Sequence, residues 1–182
     1  FAEDYRRCLD NQGQALMFVG NEKEATILLK EMAALPADKR LPVVAHWGTV
    51  GGLLHEMVGP ALGQVPFDVI QTFSFMQNQR PRAKALAQWI HTHSPYKTVS
   101  AIPSPVGAAH AYDTVHLLAL AVERARSTQG SRVRDALEKL PPFSGAVRDY
   151  KPAFTATRHD ALDASQVMFV RVGPDGTLTP TP

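Results

Sequence analysis

The 182-residue chain holds 19 Lys+Arg against 17 Asp+Glu, with 45% hydrophobic and 20% charged residues. This is an ordinary globular composition, with enough chain for one well-buried domain or two small lobes. The net charge of +2, without any basic run or stripe, excludes nucleic acid as the expected partner.

No apolar run reaches the roughly 20 residues that a membrane helix needs. Cys8 is the single cysteine, which excludes an internal disulfide and a cysteine-based metal cluster. The opening Phe1-Ala2-Glu3-Asp4 has neither a basic n-region nor an apolar h-region. The chain therefore reads as either a cytosolic protein or a mature or trimmed piece of an exported one.

Residues 3–12 have helical spacing and end at Asn11-Gln12-Gly13. Ala15 to Val19 is an apolar run of strand length, closed by Gly20-Asn21. The next helix carries Ala25, Leu28, Leu29, Met32 and Ala33 on one face, with Asn21 as its N-cap. It stops at Leu35-Pro36, and Leu41 to Ala45 forms the second strand. After the loop His46-Trp47-Gly48, Gly51 and Gly52 lead into a helix that runs to about Gly59. Phe67 to Phe73 is the third strand. Strand, helix, strand, helix, strand predicts an α/β protein with a parallel sheet and flanking crossover helices.

Beyond Phe75 the pattern changes. Arg82 to His93 reads as a helix, and Thr98 to Pro105 as a connector. The longest helix, about Val106 to Arg126, carries a broad stripe of Ala108, Ala111, Tyr112, Val115, Leu118, Ala119, Val122 and Ala125. Ser131 is the expected N-cap of a further helix that ends at Pro141-Pro142. Gly145-Ala146-Val147 is read as a short strand and Val167 to Val172 as the last one, followed by the turn Gly173-Pro174-Asp175-Gly176. The second half supplies three helices and little strand. The stripe on the long helix thus lacks a sheet to cover.

The histidines give no strong metal signal. His91 and His93 diverge by about 200° around a helix, while His110, Asp113 and His116 fan out at three-residue steps. No nucleophile elbow or phosphate loop is present, so neither catalysis nor a cofactor or metal is expected.

The loops that follow the three strands carry more. Gly20-Asn21-Glu22, His46-Trp47-Gly48 and Gln71-Thr72-Phe73-Ser74-Phe75 would share the carboxyl edge of the sheet, where ligands bind in parallel α/β proteins. The mix of amide, imidazole, indole, hydroxyl and phenyl groups suits a small aromatic or amphipathic ligand. Its carboxylate would be met by His46 or by helix-start N–H groups. The candidate ligand-binding residues are Asn21, Glu22, His46, Trp47, Gly48, Phe73 and Phe75. For Trp47 two readings stay open, a cap over the end of the sheet core and a ligand contact.

Three segments carry a family resemblance. They are Pro103-Ser104-Pro105-Val106-Gly107-Ala108-Ala109-His110-Ala111-Tyr112-Asp113, continuing to Ala119; Val133-Arg134-Asp135-Ala136-Leu137-Glu138; and Pro152-Ala153-Phe154-Thr155 with His159-Asp160-Ala161-Leu162. With them the chain resembles the later part of the periplasmic solute-binding proteins of ABC importers, the branched-chain amino acid and amide type with the type I periplasmic binding fold.

The resemblance implies a two-lobed clamp lacking the front of lobe one. Residues 1–72 would form lobe two, 73–160 a mostly helical return into lobe one, and 161–182 a final strand and tail back in lobe two. It further implies capture of a small solute by lobe closure without chemistry, with flexing near Phe73–Phe75 and Ala101–Pro105. A periplasmic or lipid-anchored extracellular location and delivery to a membrane permease follow from the same likeness. The alternative is a sensing domain of this fold that signals to a partner.

Amino-acid-binding members of that family place an acid where Trp47 stands here. A solute other than a plain amino acid is therefore expected, a carboxylate or an aromatic or amide compound.

Overall fold

The computed structural model describes residues 1–50, 53–102 and 104–181. Gly51, Gly52 and Pro103, which the sequence reading placed in a loop and a connector, lie outside the described residues. In chain order the first elements are α1 (Ala2–Asp10), β1 (Leu16–Phe18), α2 (Glu22–Ala33), β2 (Val43–His46), α3 (Leu54–Val58) and β3 (Phe67–Gln71). Then come α4 (Pro81–His93), α5 (Pro105–Ala125), α6 (Gly130–Leu137), β4 (Phe143–Ser144), β5 (Asp149–Tyr150), β6 (Met168–Val172) and β7 (Leu178–Pro180).

The chain divides into two units, Phe1–Thr72 with Val167–Pro182, and Phe73–Gln166. The first is built on a five-stranded sheet of order β1-β2-β3-β6-β7. β1, β2 and β3 run parallel, as their crossover helices require. β6 and β7 are antiparallel additions, which the expectation of a parallel sheet did not include.

β7 lies in the stretch that the sequence predicts as tail. Gly176 takes a positive φ of 81°, which closes a hairpin after β6. Pro180 is tolerated because this is an edge strand, where its missing N–H leaves no ladder bond unmade.

One face of the sheet holds the core. The α2 residues Ala25, Leu28, Leu29 and Met32 pack on Val43, Ala45, Phe67, Val69 and Val170, with Leu54 and Val58 of α3 beside them. Full burial of a side chain such as Leu29 contributes roughly 1.5–3 kcal/mol. The opposite face is open: Met17 is 71% and Phe169 45% exposed. An Arg171–Asp68 ion pair bridges neighbouring strands on that face.

In the second unit, α5 packs on α6 through Leu117, Ala121, Val133 and Ala136, and Phe143 and Tyr150 join this core. Val106 is buried near the start of α5, and from Ala109 the buried residues follow a four-residue step through Asp113, Leu117 and Ala121. None of these belongs to the predicted stripe: of that set Val122 and Ala125 are partly buried against this core, while Val115 is 62% and Leu118 46% exposed.

Ser131 is not the N-cap of α6. That position is Gln129, whose N–H is taken up by Ser127 Oγ at 3.1 Å.

Nor is Gly145-Ala146-Val147 a strand. It is the turn between β4 and β5, because the N–H groups of Ala146 and Val147 donate to the buried Asp113 carboxylate at 2.6 and 2.8 Å instead of to a neighbouring strand. The segment Ala101–Pro105, expected to flex between lobes, lies within the second unit.

Candidate functional site

The carboxyl ends of β1 and β2 are drawn together by a close backbone approach. After β1, Asn21 takes an extended conformation as N-cap of α2, and its N–H donates to Glu24 Oε2 at 3.1 Å. After β2 the chain makes a tight turn over Trp47–Thr49, held by the Thr49 hydroxyl donating to the His46 carbonyl at 2.8 Å.

Gly48 sits where the two loops meet. A Cβ there would lie 3.0 Å from His46 Nδ1, 3.2 Å from Asn21 Oδ1 and 3.3 Å from the Gly20 carbonyl oxygen. A larger residue there requires these neighbours to give by a few tenths of an ångström.

The Gly48 N–H donates to His46 Nδ1 at 3.1 Å. Nδ1 is thus the acceptor, so a neutral ring carries its proton on Nε2 and offers that N–H as donor. The indole of Trp47 lies against the same imidazole, ring centroids 4.6 Å apart at 44°. Both side chains are half-buried. Together they carry two N–H donors, imidazole Nε2 and indole Nε1, beside one aromatic surface.

Glu22 is engaged elsewhere. Its Oε1 accepts the Leu53 N–H at 2.8 Å, which ties the start of α2 to the residue before α3. Phe73 and Phe75 belong to the second unit. They are 1% and 7% exposed and pack edge to face at 4.8 Å. Asn21, His46, Trp47 and Gly48 are therefore brought together, Glu22 lies beside them with its carboxylate bound to backbone, and the two phenylalanines are core residues of a different unit.

Gln71, the last residue of β3, falls in both the third strand and the loop after it as the sequence is read. It is 1% exposed, and neither Oε1 nor Nε2 has a hydrogen-bond partner. It shares the face of Phe67 and Val69 by strand alternation, and the Trp47–Thr49 turn packs alongside β3. Residue type and position alone gave no signal that its carboxamide would be buried and unpaired.

The histidines weighed for metal go other ways. Among the described residues no group of three or more His, Cys, Asp or Glu is placed to hold an ion. His116 Nδ1 lies 2.9 Å from the Tyr112 carbonyl, to which it donates. Burial lowers the pKa of His110, against the opposing pull of Asp113. Asp113 accepts from the Tyr150 hydroxyl as well as from the two N–H groups of the β4–β5 turn. Its role is to hold that turn on α5.

No protein-family model matches the sequence, and no curated protein matches it. Solved structures match its fold. A type 1 periplasmic binding protein from Bordetella pertussis is 19% identical with a TM-score of 0.78, covering 98% of this chain and 48% of its own. A branched-chain amino acid transporter substrate-binding protein from Streptococcus pneumoniae, solved with isoleucine, is 19% identical with a TM-score of 0.64, covering 92% of this chain and 44% of its own. An ABC-transporter solute-binding protein from Rhodopseudomonas palustris, solved with benzoate, is 16% identical with a TM-score of 0.68, covering 98% and 45%.

The chain thus has the type I periplasmic binding fold and spans about half the length of these neighbours. All three are binding proteins by description.

Proposed function

We propose that this chain binds a small organic solute outside the cytoplasm, as part of a protein that delivers it to an ABC-importer permease. The observation that carries the reading is the braced turn at the carboxyl end of β2. There the His46 imidazole and the Trp47 indole sit side by side, 4.6 Å apart, beside the capped start of α2.

This is where parallel α/β sheets bind ligands, and solute-binding proteins of the same fold hold isoleucine in one case and benzoate in another. The arrangement has N–H donors and an aromatic wall but no nucleophile with its base, which suits capture without chemistry. The turn carries no acid to pair with an ammonium group, so an aromatic carboxylate or an amide is favoured over a plain amino acid.

The test is a thermal-shift and calorimetric screen of the 182-residue chain against isoleucine, benzoate and benzamide. A ligand that binds only the folded form raises its melting temperature. Saturable stabilisation by at least one of them, lost in Trp47→Ala, is expected. No response to any of the three overturns the proposal.

A further inference from the structure

Gln71 is a buried carboxamide whose hydrogen-bonding groups are both idle. Buried side-chain amides in folded proteins have partners in the large majority of cases, since an unpaired polar group inside costs stability. Among the described residues Glu31 Oε2 and His91 Nε2 are also buried without a hydrogen bond, each as a single atom. Gln71 alone of these lacks a partner for a donor and an acceptor at once.

Its position matters as much as its state. It ends β3, one residue past Ile70, which is the register partner of His46. Its side chain is on the buried face of β3 with Phe67 and Val69, and the Trp47–Thr49 turn packs along the same strand. The residue therefore ends its strand at the carboxyl edge proposed above to bind the solute.

We infer that Gln71 is a ligand-reading residue of this site, and that the group it reads is a carboxamide. The inference rests on the proposed solute-binding function. The side chain offers an N–H donor and a carbonyl acceptor side by side. A ligand carboxylate at neutral pH has acceptors only, so it would satisfy Nε2 and leave Oε1 unpaired. A ligand amide presents a carbonyl and an N–H in the same spacing and satisfies both through a cyclic pair of hydrogen bonds. A site built to pair with such a group discriminates strongly against a look-alike that lacks the matching donor, because the unmatched protein atom is left buried.

Two variants and two probes of nearly equal shape test this. Gln71→Met keeps the length of the side chain and removes both polar groups; Gln71→Glu keeps the acceptor and removes the donor. The first reading is the melting temperature without ligand. Met is expected to raise it, because an idle polar pair is replaced by apolar contact. A lower value for Gln71→Met overturns the inference, since it means that a fixed water or the protein itself already serves the amide.

The second reading is calorimetric affinity for benzamide against benzoate. The wild-type chain is expected to favour benzamide tenfold or more, and both variants are expected to lose that preference. Equal preference in wild type and Gln71→Met overturns the inference, as does a wild type that favours benzoate. If the wild type binds isoleucine but neither aromatic probe, the inference fails and the solute-binding reading stands. If it binds none of the three, both fail.

Discussion

The Tyr150 hydroxyl donates to Asp113 Oδ2 at 2.9 Å across 37 residues of sequence. This bond, with the two N–H groups of Ala146 and Val147, fastens the β4–β5 hairpin to the buried side of α5. Gly145 leaves room for the carboxylate: a Cβ there would come within 2.3 Å of Asp113 Oδ2.

Asp113→Ala strands two buried N–H groups and a phenol. We expect it to destabilise the chain by roughly 3–5 kcal/mol, and Tyr150→Phe by roughly 1.5–3 kcal/mol. Urea denaturation followed by circular dichroism measures both. A loss near zero for Asp113→Ala would show that the hairpin is held by its apolar contacts alone.

The same pair sets an alkaline limit. Burial, and then the neighbouring Asp113 charge, push the Tyr150 pKa up. A folded value raised above the unfolded one of about 10 means that the protonated phenol contributes its full stability below that pH. The contribution is lost as pH rises further, towards the folded value. Melting temperatures above pH 10 are expected to fall more steeply in wild type than in Tyr150→Phe, and parallel curves would count against the coupling.

Gly48→Ala tests the approach of the two site loops. The added Cβ meets His46 Nδ1 and Asn21 Oδ1 at 3.0 and 3.2 Å, so the turn must shift. A destabilisation of roughly 1–3 kcal/mol is expected, together with weakened solute binding. Gly130→Ala is the control: nothing lies within 4 Å of its Cβ, and the change should be neutral or stabilising by about 0.4–1 kcal/mol. Equal melting temperatures for the two variants would remove the steric argument.

Trp47→Glu tests selectivity. A carboxylate in this turn would give an α-ammonium group its counter-charge, worth roughly 1.5–3 kcal/mol. Calorimetry should then find isoleucine binding tighter by tenfold or more and aromatic acids weaker. An unchanged order of affinities would mean that Trp47 caps the sheet and does not face the solute.

How far the sequence could be read follows from the range of the forces involved. Ala25, Leu28, Leu29 and Met32 declare the buried face of α2 because helical periodicity is local, and all four are buried. The Gly145–Val147 turn could not be read this way. Its N–H groups answer to Asp113, more than thirty residues earlier, and the apolar triplet looks like a strand without that knowledge. β7 was hidden by its shortness and its proline.

Within the site, the residue types at 46–48 pointed to the place. That Gly48 touches both loops, that Glu22 is spent on Leu53, and that Gln71 is buried unpaired are products of tertiary packing. Phe73 and Phe75 follow β3 closely in sequence, and the chain passes to the other unit just before them.

The pairing of Gln71 with Met168 has a consequence for engineering. The chain leaves the first unit after Thr72 and returns at Val167, so its exit and entry lie on neighbouring antiparallel strands. Everything between is, for the sheet, one long hairpin connection. Replacing residues 73–166 by a short turn would keep all five strands of the sheet in chain order, and the loop-closure entropy changes only slowly with such a deletion. The same two positions are a natural socket, into which a different folded insert with closely spaced termini could be grafted.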